Sequence, residues 1–208
     1  MRCNSTLTKL IVLSSLALAL AACGGVKDAN KSNFGKAIQA YLDSQSGLCA
    51  SIPTNKLPFM LSNKDQWNKP QADALVDAGL LSKRDAEVKV GVFGNRMEPG
   101  AEYQITNAGQ KAHVAKSSAF FGTQNAFCSG KYALVEVDNF TEPNNMFGVT
   151  MSEVKFRYKV KNLDSWAKKE SIRAAFKHFE SETQGEIKGK AVLILTHNGW
   201  VHESLFKE

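Results

Sequence analysis

The stretch Val154-Lys155-Phe156-Arg157-Tyr158-Lys159-Val160-Lys161 has the clearest periodicity in the chain. Its even-numbered positions are all apolar or aromatic, and its odd-numbered positions are all cationic. Because successive side chains of a β-strand point to opposite faces of a sheet, this alternation predicts a strand with one core face and one outer face. The outer face would carry Lys155, Arg157, Lys159 and Lys161 about 7 Å apart.

A row of four cations favours contact with an anionic partner, such as a polyanion, an acidic protein partner or the phosphates of lipid headgroups. A cationic outer face is also a common protection against aggregation, with no partner at all. The sequence leaves both interpretations open.

Other patterns extend the fold outward from this strand. Residues 132–137 predict a strand before it, and Asp164 is a cap for one long helix from Ser165 to about Glu182. Residues 191–195 predict a buried strand, and Asn198-Gly199 is typical of a tight hairpin turn before a return strand. Residues 117–208 therefore predict a β-β-α-β-β half, an antiparallel sheet packed by one long helix. Residues 117–126 are interpreted as the loop-like joint before it.

Residues 32–116 predict a smaller half of helices and a β-hairpin. Ser32 would cap a first helix, and Asn68-Lys69-Pro70 would open a second that stops at Gly79. Residues 88–92 and 103–105 alternate as two strands, and Thr106 can cap a short helix. The fold class expected for the whole chain is α+β.

The second helix and the hairpin resemble the end of a winged-helix domain. The resemblance rests on Ala74-Leu75-x-x-Ala78-Gly79-Leu80-Leu81 and on Tyr103-x-Ile105-Thr106-x-x-Gly109, within residues 68–115. It implies a helix, a β-wing and, in regulators of that class, contact with DNA through basic residues.

Two features disfavour nucleic acid as a partner of this segment. The face of the second helix carries Gln71, Asp73 and Asp77, and carboxylates repel the phosphates whose neutralisation supplies most duplex affinity. The second feature is the compartment, since the apolar run that ends in Leu20-Ala21-Ala22-Cys23 resembles a bacterial export signal. A packing unit without a ligand, or a protein-docking surface, fits the segment better.

Near the N-terminus, an apolar run from Leu10 to Leu20 leads into the motif Leu20-Ala21-Ala22-Cys23. The run rises only about 16 Å as a helix, against about 30 Å of hydrocarbon, so it is too short to span a membrane. The tetrapeptide resembles the lipobox of bacterial lipoproteins. That resemblance implies a signal peptide over 1–22, a lipidated Cys23 and a short tether over 23–31. Gly24 follows the cysteine where enteric inner-membrane lipoproteins carry Asp, which implies the periplasm-facing leaflet of the outer membrane.

The four cysteines then each have a place. Cys3 would be removed with the signal peptide and Cys23 would carry lipid, so Cys49 and Cys128 remain. In an oxidising compartment two remaining cysteines favour one disulfide. A reactive thiol pair is the competing interpretation, but the chain has no Cys-x-x-Cys spacing. The formal net charge of +6 falls to +4 without Arg2 and Lys9, which is a mild excess.

Sequence motifs for catalysis, metal binding and cofactors are not found. There is no Gly-x-Ser-x-Gly and no phosphate-binding glycine loop in a strand-to-helix setting. The nearest approach to a catalytic or metal cluster is His197, His202 and Glu203 around the last hairpin, without a further partner nearby. We therefore expect no enzyme activity and no cofactor.

The expected function is that of a lipid-anchored envelope lipoprotein with a binding or structural role. Its partners would be the membrane, through the N-terminal lipid, and an envelope protein or anionic surface. Two alternatives stay open: an envelope hydrolase, and a small apolar ligand module with the shape of an NTF2-like or cystatin-like fold. Trp200 would either cap such a pocket or cover the core.

Overall fold

The computed structural model describes residues 25–54, 56–91, 96–118, 122–146 and 148–207. Cys23 and the whole of the expected signal peptide lie outside these residues, and so does Val92 of the expected wing strand.

The described residues form five α-helices and eleven strands, with short 3₁₀ turns at Trp166–Lys168 and Glu203–Leu205. The helices are α1 (Lys31–Ser44), α2 (Asn68–Asp77), α3 (Asn107–Ala112), α4 (Glu170–Ala175) and α5 (Lys177–Thr183). The strands are β1 (Leu48–Ser51), β2 (Phe59–Ser62), β3 (Leu81–Val90), β4 (Arg96–Ile105), β5 (His113–Ser118), β6 (Gly122–Ser129), β7 (Lys131–Phe140), β8 (Asn144–Met146), β9 (Val149–Lys161), β10 (Ile187–Thr196) and β11 (Gly199–His202). The expected α+β class is confirmed.

The strands make three sheets, and every strand pairing is antiparallel. Two sheets have three strands each, in the orders β1-β6-β5 and β2-β4-β3. The largest sheet has the order β11-β10-β9-β7, with β8 paired to the start of β9. β9 is therefore a central strand, hydrogen-bonded on both sides.

The alternation of β9 is confirmed. Val154 and Phe156 are buried under the sheet, at 0% and 3% exposure, whereas Lys155, Lys159 and Lys161 are exposed on the other side. Arg157 lies on the same outer side and is half-buried. β9 thus separates an inner face, which belongs to the core, from an outer face in solvent.

The five-stranded sheet is covered by α1, the first helix of the described residues, and not by a late one. The α1 residues Phe34, Ile38 and Leu42 share one buried cluster with the inner face of β7, β9, β10 and β11. The second cluster joins α2 and the two three-stranded sheets to Ile172 and Phe179 of α4 and α5. A helix from the N-terminal half therefore packs on the C-terminal sheet, and helices from the C-terminal half pack with the N-terminal elements.

The expected long helix from Ser165 to Glu182 is wrong. The segment is a 3₁₀ turn followed by α4 and α5, interrupted by extended backbone at Lys169 and by Phe176 at φ −123° and ψ 84°. Trp166, Ile172, Phe176 and Phe179 are buried in the core next to α2, not against the five-stranded sheet.

The interpretation of residues 117–126 as a loop-like joint is also wrong, because β5 and β6 form a hairpin there. The polar run Thr123-Gln124-Asn125 lacks an apolar alternation, which is why the pattern did not indicate a strand. Since each buried cluster draws on residues both before and after 117, the division into 32–116 and 117–208 does not coincide with a boundary between cores.

The N-terminal residues are held against the body. Asn30, not Ser32, caps α1, because its side chain accepts a hydrogen bond from the Asn33 N–H at 2.8 Å. The indole of Trp200 donates to the carbonyls of Lys27 and Asp28 at 3.0 and 3.2 Å. Trp200 is 7% exposed and therefore covers the core. The described part of the expected tether, from Gly25 onward, is thus fixed beside the β10–β11 turn.

The helix, hairpin and short helix expected between residues 68 and 115 are present as α2, β3–β4 and α3. Gly79 ends the α2 region with a left-handed φ of +78°, a conformation that glycine adopts without penalty. Thr106 caps α3 by accepting from the Gly109 N–H at 3.0 Å. No helix among the described residues is long and apolar enough to cross a membrane.

Candidate functional site

The outer face of the five-stranded sheet places like charges directly opposite each other. Lys155 of β9 faces Lys190 of β10, and Lys161 of β9 faces Lys131 of β7. Directly opposed like charges destabilise a pair of strands. In the described structure this face carries seven cations and four carboxylates, a formal net charge of +3. They are Lys131, Lys155, Arg157, Lys159, Lys161, Lys188, Lys190, Glu136, Glu153, Asp138 and Glu186.

Arg157 differs from its three lysine neighbours because its charge is already neutralised. Its guanidinium lies 2.7 Å from Glu136 and 2.8 Å from Asp138, and it also bonds to Glu186. Hydrogen bonds to Asp138 and Glu186 raise the pKa of Arg157 above its ordinary value. The four cations of the row are therefore not equivalent. Arg157 is the least available to bind an external anion, because its charge is already paired.

Three lysines at one end of the β7–β9 pair have no carboxylate partner within the described ranges. We define them as the opposed-lysine corner: Lys131 of β7 with Lys159 and Lys161 of β9, all exposed on the outer face. Within the described ranges none of the three makes a salt bridge. Lys190, by contrast, lies 2.7 Å from Glu153, which relieves its repulsion with Lys155. An anion at the opposed-lysine corner would relieve the remaining repulsion.

A second candidate lies on the opposite, inner side of the sheet. A half-open cavity of about 430 Å³ lies between the end of α1, the inner face of the sheet, the end of α5 and the C-terminal turn. We call it the aromatic pocket. Its lining includes Tyr41, Tyr132, Phe156, Tyr158, Glu182, His202 and Glu203. Ligand pockets in proteins commonly measure about 300–1,000 Å³.

The aromatic rings form two walls of this pocket. Tyr158 contacts Tyr132 edge-on at a centroid distance of 5.3 Å and Phe156 at 5.7 Å, all on the sheet. On the helix side, the Tyr41 ring stacks on His202 at 3.7 Å with 9° between the planes. Gly189 lets the Phe156 ring lie directly over β10, because a Cβ there would be 2.4 Å from the ring.

The polar groups of the pocket are held in defined states. The Tyr132 hydroxyl donates to Glu182 at 3.0 Å, and burial together with that carboxylate raises the pKa of Tyr132. Burial lowers the pKa of His202, against the opposite effect of Glu203. The Ser204 N–H donates to Nδ1 of His202 at 3.1 Å, which requires an unprotonated Nδ1. His202 is therefore a neutral ring in this pocket.

The sequence-based candidates for hydrolysis do not come together. His202 and Glu203 line the aromatic pocket, but His197 lies exposed in the β10–β11 turn, at the other end of β11. His202 is used structurally, by its stack on Tyr41 and its bond to Ser204. Sequence reasoning missed Tyr41, Tyr132, Tyr158 and Glu182 as site residues. Tyr132 and Tyr158 lie at inner positions of strands and Tyr41 lies on α1, a pattern that core residues share, and no sequence signal distinguished Glu182.

The expected disulfide is confirmed. Cys49 of β1 and Cys128 of β6 are directly opposed across the two strands, with their Cα atoms 4.0 Å apart, and are bonded. A shallow cleft of about 310 Å³ lies over this bond, lined also by Ile52 and Val114. His178 bonds to the Cys49 carbonyl at 3.0 Å, which connects α5 to the same strand.

A search of the described residues for three or more His, Cys, Asp or Glu side chains able to hold a metal ion finds no such group. His113, another lone histidine, bonds instead to the Asn125 side chain at 2.8 Å.

Comparison of the chain with models of known protein families, with curated proteins and with solved structures found no match.

Proposed function

We propose that this protein is a lipid-anchored, non-enzymatic lipoprotein of the bacterial cell envelope, facing the periplasm from the outer membrane. The motif Leu20-Ala21-Ala22-Cys23 after an apolar run supports the anchor, and Gly24 supports the outer membrane. The Cys49–Cys128 disulfide supports the periplasmic location, because disulfides form and persist in oxidising compartments. The body would be held close to the lipid, since Gly25 is only the second residue after Cys23.

The proposed role is binding of an acidic partner by the opposed-lysine corner. The observation that carries this proposal is the direct opposition of Lys131 and Lys161, without a carboxylate bonded to either within the described ranges. The backbone of Val26 passes over Gly199 at the β10–β11 turn, so an anchor at Cys23 would hold that end of the sheet near the membrane. The corner lies about 30 Å away along β9, where it faces other envelope components.

We further propose that residues 68–115 form a winged-helix-like segment that does not contact nucleic acid. The order of α2, the β3–β4 hairpin and α3 supports the likeness. The Ser171 hydroxyl of α4 donates to Asp77 at 2.6 Å, and Asp73 is bonded to Lys69 and Lys83. The carboxylates on the helix face that would approach DNA are thus already paired within the protein, and α4 covers part of that face.

The corner can be tested by crosslinking in the native envelope. Ala133 faces Lys159 across the strands and is replaced with a photoreactive amino acid. We expect a defined crosslinked product that falls roughly tenfold when Lys131, Lys159 and Lys161 are changed to Gln, because three exposed charge contacts together contribute about 1.5 kcal/mol.

The matched control changes Lys36, Lys111 and Lys177 to Gln. These lysines are exposed and lie on helices away from the outer face, and the net charge falls by the same amount. The control should keep the crosslink. Equal loss in both triple variants, or no product from position 133, would show that the corner is not the contact.

The anchor has an independent test. Cys23→Ser should move the protein from the membrane fraction to the periplasmic fraction and abolish incorporation of labelled palmitate, because the thiol is the attachment point of the lipid. Unchanged membrane sedimentation of the variant, or an intact initiator methionine on the wild-type protein by mass spectrometry, would refute lipidation.

A second candidate function is a small ligand module, and the aromatic pocket favours it. The helix that covers the sheet is α1 rather than the late helix expected from the sequence, but a pocket between helix and sheet is present. Its lining combines aromatic rings with carboxylates, so it suits a ligand that carries a polar or charged group better than the purely apolar ligand expected from the sequence.

A further inference from the structure

The aromatic pocket lies on the opposite side of the sheet from the opposed-lysine corner, so its occupant is a separate question from the partner proposed above. Its aromatic side chains come from three separate segments: Tyr41 from α1, Tyr132 from β7, and Phe156 with Tyr158 from β9. Four aromatic rings therefore line one cavity, and the face of an aromatic ring carries a negative electrostatic potential.

The fixed charges of the pocket have one sign. Glu182 lies near the end of α5, and its carboxylate accepts a hydrogen bond from the Tyr132 hydroxyl of the sheet wall. Glu203 is exposed at the C-terminal rim. Lys190 also borders the cavity, but its ammonium is 2.7 Å from Glu153 on the outer face. His202, the remaining titratable base of the lining, is neutral as argued above. The pocket therefore offers two carboxylates and no free cation among its described lining residues.

We propose that the aromatic pocket binds a small organic cation of the alkylated or quaternary ammonium class. A desolvated cation over aromatic faces is stabilised by the ring quadrupoles, and sites for such cations are commonly built from several rings. The carboxylates of Glu182 and Glu203 add long-range attraction at the rim. An anionic ligand would meet the same two carboxylates and be repelled, and a neutral ligand would gain nothing from them.

The deciding experiment compares two probes of nearly the same shape. Choline carries a quaternary nitrogen, and 3,3-dimethylbutan-1-ol is its neutral carbon counterpart. We expect isothermal titration calorimetry of the intact protein to show saturable choline binding, with the neutral compound at least about tenfold weaker. Equal affinity for both probes would overturn the proposal, and so would the absence of saturable choline binding.

Two variants locate the site. Glu182→Gln keeps the acceptor for Tyr132 but removes the charge, and Tyr158→Leu removes one face of the cage; each should weaken choline binding roughly fivefold or more. Glu180→Gln is the control, because Glu180 is exposed on the same helix and does not line the pocket. Each variant's thermal transition is measured first, and Glu182→Gln decides if Tyr158→Leu is unfolded. Choline binding unaffected by Glu182→Gln would place the cation elsewhere and overturn the proposal.

The proposal does not depend on the lipid anchor or on the outer face. The calorimetry can therefore fail while the Cys23→Ser fractionation and the crosslinking succeed, or the reverse.

Discussion

At the scale of single residues, Gly189 determines how the inner face of the sheet packs. It faces Phe156 across β9 and β10, and a Cβ at this position would lie within 2.4–2.9 Å of three atoms of the Phe156 ring. The ring is 3% exposed and cannot move outward without opening the core. We expect Gly189→Ala to lower the free energy of unfolding by about 1–3 kcal/mol, the usual range for overpacking.

Urea unfolding followed by circular dichroism measures this loss. Gly185→Ala is the control, because a Cβ at Gly185 meets no atom within 4 Å, and it should change stability by less than about 0.5 kcal/mol. Similar losses in the two variants would mean that the ring contact is not the cause.

At the scale of elements, Asp73 connects α2 to both strands of the β3–β4 hairpin. Its carboxylate lies 2.6 Å from Lys69 and 3.0 Å from Lys83, and accepts from the Tyr103 hydroxyl at 3.0 Å. Burial alone would raise the pKa of Asp73, but the hydrogen bonds from these three side chains outweigh it and hold the pKa below its ordinary value of 3.8. The native state therefore favours the ionised carboxylate.

A carboxylate whose pKa is lowered by folding contributes stability above its unfolded pKa and loses it as the pH falls through the folded one. We expect Asp73→Asn to cost about 1 kcal/mol at pH 7, a modest value because the side chain is 36% exposed. The difference from wild type should narrow below about pH 4. Unfolding curves across this pH range measure it, with the exposed Asp85→Asn as control. A difference independent of pH would contradict the assignment.

Local patterns predicted those elements whose faces are distinct in the sequence itself. The apolar and cationic alternation of β9 and the buried face of α1 were both visible in the chain. The hairpin β5–β6 was not, because Thr123-Gln124-Asn125 is polar and this sheet is held together at β1–β6 by the disulfide. The break at Phe176 was invisible for a related reason. A helical spacing of apolar residues is equally compatible with one helix and with two short helices in the same core.

At the scale of the whole molecule, the sequence could not show which helix covers which sheet. Phe34 and Ile38 of α1 and Phe176 and Phe179 near the other end are apolar faces of similar size, and only the closed fold assigns them to their sheets. The aromatic pocket depends on that assignment, since Tyr41 reaches the inner face only because α1 lies there. The outer face did not depend on it, which is why its lysines were predictable and the pocket was not.

Because each core contains segments from both halves of the chain, we expect the two cores to unfold together. Trp166 reports on the core next to α2, Trp200 reports on the core under α1, and Trp67 is 88% exposed. The chain passes between the two cores after β6 and after β9, and these two places are joined: Ser129 at the end of β6 donates to Asp164 at 2.9 Å and accepts from its N–H at 2.8 Å. Neither core is complete without a segment from the far end of the chain.

Two double variants isolate the reporters: Trp67→Phe with Trp200→Phe, and Trp67→Phe with Trp166→Phe. In each, the tryptophan fluorescence transition in urea should coincide with that variant's own circular dichroism transition in midpoint and slope, as a two-state unit requires. This internal comparison allows for any stability lost through the substitutions themselves. Separate midpoints within one variant would show that α1 or the α4–α5 segment can leave its sheet while the other core stays folded, and the chain would then consist of two independent units.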